Sequence, residues 1–405
     1  MIKINKFMAG LLITVLAFAL YSCDQPTSNS FTEESTELSE PDMDSSYIVV
    51  FKSDAANDAA SKGQSIESYR TEILQTAEVQ RDRVYQEYNR TITGFAAELS
   101  DAQLSLLRTD PRIDFIEKDR IVQFAPPCGT PNGGPCDGDG GGDDGGDSSA
   151  QETPYGITRV NGGATYTGTN VAWILDSGVD LDHPDLNVDA SLGFNAFTKG
   201  KDGKSLDDGN GHGTHVAGTI AAIDNNTGVI GVAAGATVVP VKILDSRGSG
   251  SYSGVIAGVD HVAANGSSGD VANMSLGGPT SDALDTAVKN ASSRGIYFVI
   301  AAGNSATDAN NSSPARANGQ YIYTISAMDS NDQWASFSNY GNPPVDFAAP
   351  GVSVLSTWKE GGYNTISGTS MAAPHTAGVL LLGAGTTDGT VIGDPDGNAD
   401  LILVN

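Results

Sequence analysis

The sequence predicts an α/β protein whose parallel sheet carries helices on both faces, preceded by a small α+β domain. From residue 151 onward, short apolar runs alternate with segments of helical spacing, which is typical of a parallel sheet covered on both sides. Glycine is abundant, with 49 residues, which favours a turn-dense architecture over a helical bundle. The chain has 405 residues, and at roughly 150 residues per domain it holds more than one folded unit.

Charge and cysteine content narrow the function. The chain has 22 Lys and Arg against 49 Asp and Glu and a formal net charge of -27, so its field repels nucleic acids and anionic membrane surfaces. Its 3 cysteines are too few for a disulfide-stabilised scaffold. We therefore expect no nucleic-acid partner, and we expect a monomer.

Residues 1–23 have the features of a signal peptide. Two lysines precede a short apolar stretch at 8–20, which is too short for a transmembrane helix and typical of an export signal. Residues 20–23, LYSC, are similar to the lipobox of bacterial lipoproteins, with Cys23 as the acylated residue. Ordinary signal-peptidase cleavage at the A-x-A site of residues 17–19 is the alternative. The protein is therefore expected outside the cytoplasm, either anchored to a membrane through a lipid on Cys23 or secreted.

Two segments have the composition of linkers. Residues 24–45 are rich in acidic residues, Ser and Thr and contain no Lys or Arg, so they lack the apolar surface needed to fold. Residues 126–150 consist mainly of Gly, Asp, Pro and Ser. Within this second linker, Cys128 and Cys136 are expected to close a small disulfide loop, with free thiols or an engaged metal as the alternatives.

The linkers delimit two domains. Residues 46–125 hold a strand at 47–51, helical spacing over 66–88, a strand at 91–99, a helix at 102–109 with Ser100 as its N-cap, and a strand at 113–124. Residues 151–405 hold strands at 171–175, 237–244, 271–276, 297–302 and 321–327, with helical patterns at 253–265 and 281–294. The residues after Gly385 leave the last elements of the fold open.

Three polar residues of the second domain lie at strand ends or helix starts, where α/β proteins often have reactive groups. Asp176 directly follows the run at 171–175, and reactive groups of open α/β sheets lie at the carboxyl ends of strands. His212 lies between glycines at the start of an apolar helix, and Ser370 lies at the mouth of a helix of small residues, with Pro374 expected in its first turn. Taken singly, such residues are more often a turn residue, a structural histidine and an N-cap. Their combination indicates catalysis.

The surrounding segments resemble the active-site signatures of a known family, the subtilases, and within it the proteinase K-like branch. They are DSGVDLDHPDL at 176–186, HGTHVAGT at 212–219 and GTSMAAP at 368–374, in the order Asp, His, Ser. The resemblance covers residues 153–385 and implies a subtilisin-like fold and a serine endopeptidase. An inactive scaffold retained for peptide or surface binding is the alternative, and the intact residues argue against it.

The resemblance also implies a role for each residue. Ser370 is the nucleophile, His212 is the general base that later protonates the leaving amine, and Asp176 fixes the imidazole tautomer. The side chain of Asn304 and the backbone N–H of Ser370 are expected to bind the oxyanion. No cofactor is needed for this chemistry.

Substrate is expected to bind as an added strand on an exposed edge. By the resemblance, the binding residues are Ser275, Leu276 and Gly277 on one wall of the primary pocket, and Ala301, Ala302 and Gly303 on the other. Because these residues are uncharged, we expect broad specificity for polypeptides, with apolar or aromatic side chains before the cleaved bond. For Leu276, a core position is the alternative.

Residues 46–125 resemble the propeptide inhibitor of the same family, most clearly at 93–100 and 116–124. Such a domain would place its last strand in the substrate cleft, so the enzyme is expected to be made as a self-inhibited precursor. Cleavage is expected near Ala125, or inside the following linker because prolines follow at 126 and 127.

The resemblance further implies a structural Ca²⁺ ion at Asp346, with backbone oxygens near Gln320 and Ile322. Hard oxygen ligands suit that ion, and a plain surface aspartate is the alternative. No cysteine follows Cys136, so the chain lacks any disulfides of the proteinase K-like branch.

Overall fold

The computed structural model describes residues 43–124 and 150–405. The signal peptide with Cys23, nearly all of both linkers, and the predictions on Ala125, Cys128 and Cys136 lie outside the described residues. In the described part, no helix is long and apolar enough to cross a membrane.

The N-terminal domain combines an antiparallel sheet with three helices. In chain order its elements are β1 (Ser46–Phe51), α1 (Ala55–Ser61), α2 (Ile66–Thr76), β2 (Val84–Tyr88), β3 (Gly94–Glu98), α3 (Asp101–Thr109), β4 (Ile113–Lys118) and β5 (Ile121–Gln123). Four strands form one sheet in the order β2-β3-β1-β4. As predicted, Ser100 caps α3, in a capping box with Gln103.

Both faces of this sheet are buried, which explains the uninterrupted apolar run of β1. Ile48 and Val50 belong to a hydrophobic cluster shared with the C-terminal domain, whereas Val49 and Phe51 pack with the helices of their own domain. Successive residues of a strand point to opposite faces, so each face needs its own apolar set.

Two sequence predictions for this domain were wrong in part. The helix predicted within 66–88 ends at Thr76, because Glu78 adopts a positive φ of 56° and the chain then turns to pair β2 with β3. The strand predicted over 113–124 is divided into β4 and β5, because β5 leaves the sheet of its own domain and pairs with β12 of the C-terminal domain. At the division, the side chain of Asp119 accepts a hydrogen bond from Ser253 N of the C-terminal domain at 3.1 Å.

The C-terminal domain begins with α4 (Tyr155–Arg159), β6 (Ala164–Thr165), β7 (Ala172–Asp176), β8 (Asn187–Val188), β9 (Phe194–Asn195), α5 (His212–Ala221), β10 (Ala233–Ala234), β11 (Thr237–Lys242), β12 (Ser249–Ser251), α6 (Tyr252–Asn265) and β13 (Val271–Met274). It continues with β14 (Gly278–Pro279), α7 (Asp282–Ser292), β15 (Tyr297–Ala301), β16 (Ser312–Ser313), β17 (Ile322–Met328), β18 (Val345–Pro350), β19 (Val354–Trp358), β20 (Gly362–Ile366), α8 (Thr369–Leu382), β21 (Thr386–Thr390) and β22 (Leu401–Val404).

The central sheet is parallel except for β21 at one edge, and it is covered on both faces, as the sequence predicted. Its order is β21-β22-β18-β17-β15-β13-β7-β11-β8, with β9 also paired to β11. Helices α5 and α8 lie on one face and α6 and α7 on the other. Strand β7 shows the consequence, because Trp173 and Leu175 join the cluster of α6 and α7, whereas Ile174 joins that of α5 and α8.

The residues after Gly385 form a hairpin rather than a helix. Strand β21 pairs antiparallel with β22, and β22 extends the sheet parallel to β18. Arg159 fastens this hairpin, since its guanidinium contacts both carboxylate oxygens of Asp332, at 2.7 and 3.0 Å, and the backbone oxygen of Asp388 at 3.0 Å.

Candidate active site

Asp176 and His212 meet in the interior. Asp176 is the last residue of β7 and His212 the first of α5. His212 Nδ1 lies 2.9 Å from each carboxylate oxygen of Asp176. Gly213 permits this approach, because a Cβ atom at that position would lie 2.0 Å from the backbone oxygen of Gly178. The two residues therefore form a buried acid–imidazole pair.

Asp208 ties the two halves of this pair together. One of its carboxylate oxygens accepts hydrogen bonds from Ser177 Oγ and Gly211 N at 2.9 Å, and the other from Thr214 N at 2.9 Å and Thr214 Oγ1 at 2.7 Å. A carboxylate at a helix N-terminus is stabilised by the helix dipole. Asp208 thus fixes the start of α5 against the residue that follows Asp176, and the sequence motifs did not single it out.

Ser370 is the second residue of α8, whose N-cap is Gly368. The N-cap alternative for Ser370 was therefore wrong, and Pro374 lies in the second turn instead of the first, because the helix begins at Thr369. Ser370 Oγ donates to the backbone oxygen of Ser275 at 3.2 Å. Helix α8 packs against α5, yet the buried Nε2 of His212 has no hydrogen-bond partner in the described part of the chain.

Asn304 is held by the residue before Ser370. Its Oδ1 accepts from Thr369 N at 2.9 Å and from Thr369 Oγ1 at 2.8 Å. The same hydroxyl accepts from Gly303 N at 3.0 Å. With its oxygen engaged in this way, the Asn304 amide can offer its NH₂ group as a donor. Asn339 secures the loop, since its Oδ1 accepts from Ser305 N at 3.0 Å.

The predicted substrate-binding residues lie on two neighbouring strand ends. Gly277 forms an antiparallel bridge with Gln123 of the N-terminal domain, and Leu276 is buried in the cluster that also contains Val122 and Phe124. Of the other predicted wall residues, Ser275 is fully buried, and Ala301 and Ala302 belong to the hydrophobic core. Gly303 has a φ of 107°.

The end of the N-terminal domain runs through the same cleft. Strand β5 pairs antiparallel with β12, and its last residue reaches Gly277 on the other side. The ring of Phe124 then stacks on the imidazole of His212, with a centroid distance of 4.4 Å and an interplanar angle of 6°. Strand β5 and Phe124 therefore cover the pair formed by Asp176 and His212.

Three carboxylates bind the domains together. Glu117 accepts hydrogen bonds at the start of α7, from Ser281 Oγ, Asp282 N at 3.0 Å and Ala283 N at 3.3 Å. Asp119 accepts from Ser253 N at the start of α6. Burial raises the pKa of both carboxyl groups. In the reverse direction, Asp260 of α6 accepts from backbone N–H groups of the N-terminal domain.

Two further histidines are buried and structural. His215 Nε2 lies 3.0 Å from the backbone oxygen of Val354, and His375 Nδ1 lies 2.8 Å from that of Met371. Burial lowers the pKa of His215 to about 3 and that of His375 to about 4. Both imidazoles are therefore neutral at neutral pH.

Asp346, the expected calcium ligand, lies in β18, and one of its carboxylate oxygens accepts from Thr324 N at 2.8 Å. Burial raises its pKa to about 6, and in the described part no cationic side chain acts on it. A half-buried carboxylate of this kind fits a hard cation. The described residues contain no group of three or more His, Cys, Asp or Glu side chains arranged for a metal, so the other ligands would be backbone oxygens, for which Gln320 and Ile322 remain predictions.

Two family models match the chain. The model of the Subtilase family matches residues 167–384, which include all four residues of the candidate site. The model of the Peptidase inhibitor I9 matches residues 46–125, which include strand β5 and Phe124.

Named proteins are similar over different lengths. The chain is 44% identical over 308 residues to alkaline serine exoprotease A of Vibrio alginolyticus, which is 73% of this chain and 52% of the relative, so it spans about half of that relative's length. It is 37% identical over 396 residues to the extracellular serine proteinase of Thermus sp. (strain Rt41A), covering 92% of this chain and 88% of the relative. Among solved structures, a cold adapted subtilisin-like serine proteinase matches with a TM-score of 0.53 and 37% identity, over 62% of this chain and 97% of that chain.

Proposed function

The chain belongs to the subtilase family, and from this premise we propose that Asp176, His212 and Ser370 are its catalytic triad and Asn304 its oxyanion donor. It is a subtilisin-like serine endopeptidase that carries an I9 inhibitor domain. The observation that carries the residue assignment is the buried contact between His212 Nδ1 and both carboxylate oxygens of Asp176.

This contact prepares the imidazole for its role. A carboxylate that accepts from Nδ1 keeps the proton on that nitrogen, so Nε2 is left to accept the proton of Ser370. In the precursor the Ser370 hydroxyl donates to the Ser275 backbone oxygen instead, and it must rotate toward Nε2 before it can attack a carbonyl carbon. His212 then protonates the leaving amine, and an incoming water releases the acyl group by the same steps in reverse roles.

The oxyanion that forms during the attack would be bound from two sides. The amide nitrogen of Asn304 is one donor, since its oxygen is already bound to Thr369. The backbone N–H of Ser370 is the other, at the N-terminus of α8 where the helix dipole favours negative charge.

The precursor would inhibit itself in product-like fashion. Strand β5 lies between β12 and Gly277, on the edge that is expected to bind substrate, and Phe124 lies on His212. Cleavage near Ala125 or within the following linker would leave this strand in the cleft until the N-terminal domain dissociates. Val122 of this strand and Phe124 directly after it are buried apolar residues, and they support polypeptide substrates with apolar side chains.

Finer features of the protein are also part of this proposal. Membership of the proteinase K-like branch is supported by the three motif sequences, and export is supported by the N-terminal sequence and by the extracellular serine proteinase among the relatives. Lipid anchoring through Cys23, a monomeric state and a Ca²⁺ ion at Asp346 complete it. Mass spectrometry of the N-terminus of the Ser370→Ala precursor separates lipid anchoring from secretion, and that of the mature wild-type N-terminus locates the precursor cleavage site.

The central test compares the wild type with Ser370→Ala. The wild-type precursor is expected to process itself and to be labelled by a serine-directed fluorophosphonate, whereas the variant stays full length and unlabelled. If both proteins remain full length and unlabelled, the chain is an inactive peptide-binding scaffold instead.

A further inference from the structure

The carbonyl group of Ser370 is in an unusual position within its helix. In an α-helix the backbone oxygen of residue 370 accepts from the N–H of residue 374. Here that residue is Pro374, which lies inside α8 and has no N–H. The backbone of the nucleophile therefore lacks the hydrogen bond that would hold it in the helix.

A side chain from the neighbouring strand end takes the place of the missing donor. Ser275 Oγ donates to the backbone oxygen of Ser370 at 2.8 Å, while Ser370 Oγ donates to the backbone oxygen of Ser275 at 3.2 Å. Ser275 is fully buried, so water does not replace either contact. Two hydrogen bonds in opposite directions thus join Ser370 to Ser275. Two residues after Ser275, Gly277 pairs with the inhibitor strand.

Asn273 binds the Ser275 hydroxyl that makes the first hydrogen bond. Its Nδ2 donates to Ser275 Oγ at 2.8 Å, and its side chain is buried as well. Because a carbonyl oxygen only accepts, the Ser275 hydroxyl must donate to Ser370, and the amide group facing Ser275 must be the NH₂ end. The Asn273 Oδ1 atom has no partner in the described part of the chain, which is a cost that this arrangement tolerates.

We propose that Asn273, Ser275 and Pro374 form a clamp that positions the nucleophile. Pro374 frees the carbonyl of Ser370, the Ser275 side chain binds it, and Asn273 orients that side chain. The clamp sets the distance between the attacking oxygen and the edge on which substrate lies. This inference rests on the proposed role of Ser370 and assigns to Ser275 a positioning function in addition to its place in the pocket wall.

The test measures nucleophile reactivity in mature enzymes. Ser275→Ala is expected to lower kcat about 10-fold, the effect of one buried neutral hydrogen bond, with KM changed little because the backbone of the substrate edge is retained. The rate of fluorophosphonate labelling is expected to fall by a similar factor. The pH profile of kcat/KM is expected to stay in place, because the clamp does not touch His212. Asn273→Ala keeps the Ser275 hydroxyl but removes the amide that donates to it, and is expected to lower kcat by a smaller factor.

Restoring the backbone donor provides a rescue. In Ser275→Ala/Pro374→Ala, the new N–H of residue 374 reaches the Ser370 carbonyl, and the double variant is expected to be several-fold faster than Ser275→Ala alone. A merely destabilised protein would not regain activity in this way. Ser326→Ala is the matched control, since it removes another buried serine hydroxyl, which donates to Asp400 at 2.6 Å, without touching Ser370.

The outcomes separate the clamp from the proposed function. Thermal unfolding of each variant in a Ser370→Ala background reports folding without self-digestion. An active, labelled wild type whose Ser275→Ala variant labels at the same rate overturns the clamp alone, as does a double variant that folds but is no faster than the single one. Absence of activity and labelling in the wild type overturns the role of Ser370, and with it the clamp.

Discussion

Asp260 offers a direct measure of how strongly the inhibitor domain is held. This residue of α6 accepts hydrogen bonds from Arg90 N at 2.9 Å, Thr91 N at 2.6 Å and Thr91 Oγ1 at 2.9 Å through one carboxylate oxygen. The other oxygen accepts from Asn89 N at 3.3 Å. Asp260→Ala removes all four contacts and leaves the donors of the inhibitor domain without a charged partner.

The expected loss follows from these contacts. A hydrogen bond to a charged group contributes about 1.5 to 3 kcal/mol, but Asp260 is only partly buried and water will replace some of what is lost. Counting about 1 kcal/mol for each contact shorter than 3.0 Å gives about 3 kcal/mol in total, which weakens inhibition about 100-fold.

The assay adds the inhibitor polypeptide, residues 46–125, to mature enzyme and measures the inhibition constant with a short peptide substrate. Wild type and Asp260→Ala are compared against the same inhibitor, so the free energy of folding the inhibitor cancels. Asp260→Asn keeps the shape without the charge and is expected to fall between them. Asp224→Ala removes an exposed acid that has no contact with the inhibitor domain among the described residues, and serves as the control.

The catalytic constants of Asp260→Ala for the peptide substrate should equal those of the wild type, because the hydrogen bonds that its carboxylate accepts in the described part of the chain come from the inhibitor domain. An inhibition constant within threefold of the wild-type value would refute the reasoning. It would mean that apolar packing alone, not this carboxylate, holds the loop of the inhibitor domain.

Three other predictions concern catalysis and stability. Asn304→Ala should lower kcat about 100- to 1,000-fold with a smaller change in KM, because its amide acts on the transition state; a decrease below 10-fold would contradict the assignment. His215 and His375 have native pKa values of about 3 and 4, below their unfolded value, so the unfolded state takes up more protons as pH falls from about 6.5 toward these values. As pH falls through that window, the free energy of unfolding of the Ser370→Ala protein should therefore decrease. Replacing either histidine by a neutral residue, in a variant that still folds, should remove that histidine's share of the decrease. The Asp346 carboxyl affects the pH dependence of stability in the opposite direction. Because its native pKa is about 6, stability without a cation should fall as pH rises from about 4 to 6. Ca²⁺ should therefore raise Tm more at pH 8 than at pH 5, and Asp346→Asn should abolish this difference.

The elements of the catalytic domain could be predicted because their signals are local. The runs at 171–175 and 297–302 are apolar over every residue, as strands covered on both faces must be, and they became β7 and β15. The end of α2 could not be read in the same way. Tyr88 fits a helical spacing equally well, and only its pairing partner in β3 decides that it belongs to a strand.

In the candidate site, the contiguous sequence motifs contain the proposed catalytic residues but not the residues that position them. Asp208 acts through Ser177 and Thr214, and Asn339 acts through a loop more than thirty positions earlier in the chain. In the sequence such partners look like ordinary turn residues, because the contacts that give them a function form only in the folded protein. Thr369 was visible beside Ser370, yet nothing in the sequence indicates that its hydroxyl binds Asn304.

The contacts between the two domains would allow the inhibitor domain to aid folding and still be released. Parallel sheets form slowly because their contacts are distant in sequence, and Glu117 and Asp119 stabilise the starts of α7 and α6 independently of the strands. The protease has its own caps at both positions, since Ser281 Oγ accepts from Leu284 N and Ser251 Oγ from Gly254 N, each at 3.1 Å. Burial also raises the pKa of Glu117 and Asp119, so desolvation opposes their binding. The inhibitor carboxylates therefore add to helices that remain capped after they leave, and the cleft can open without loss of the fold.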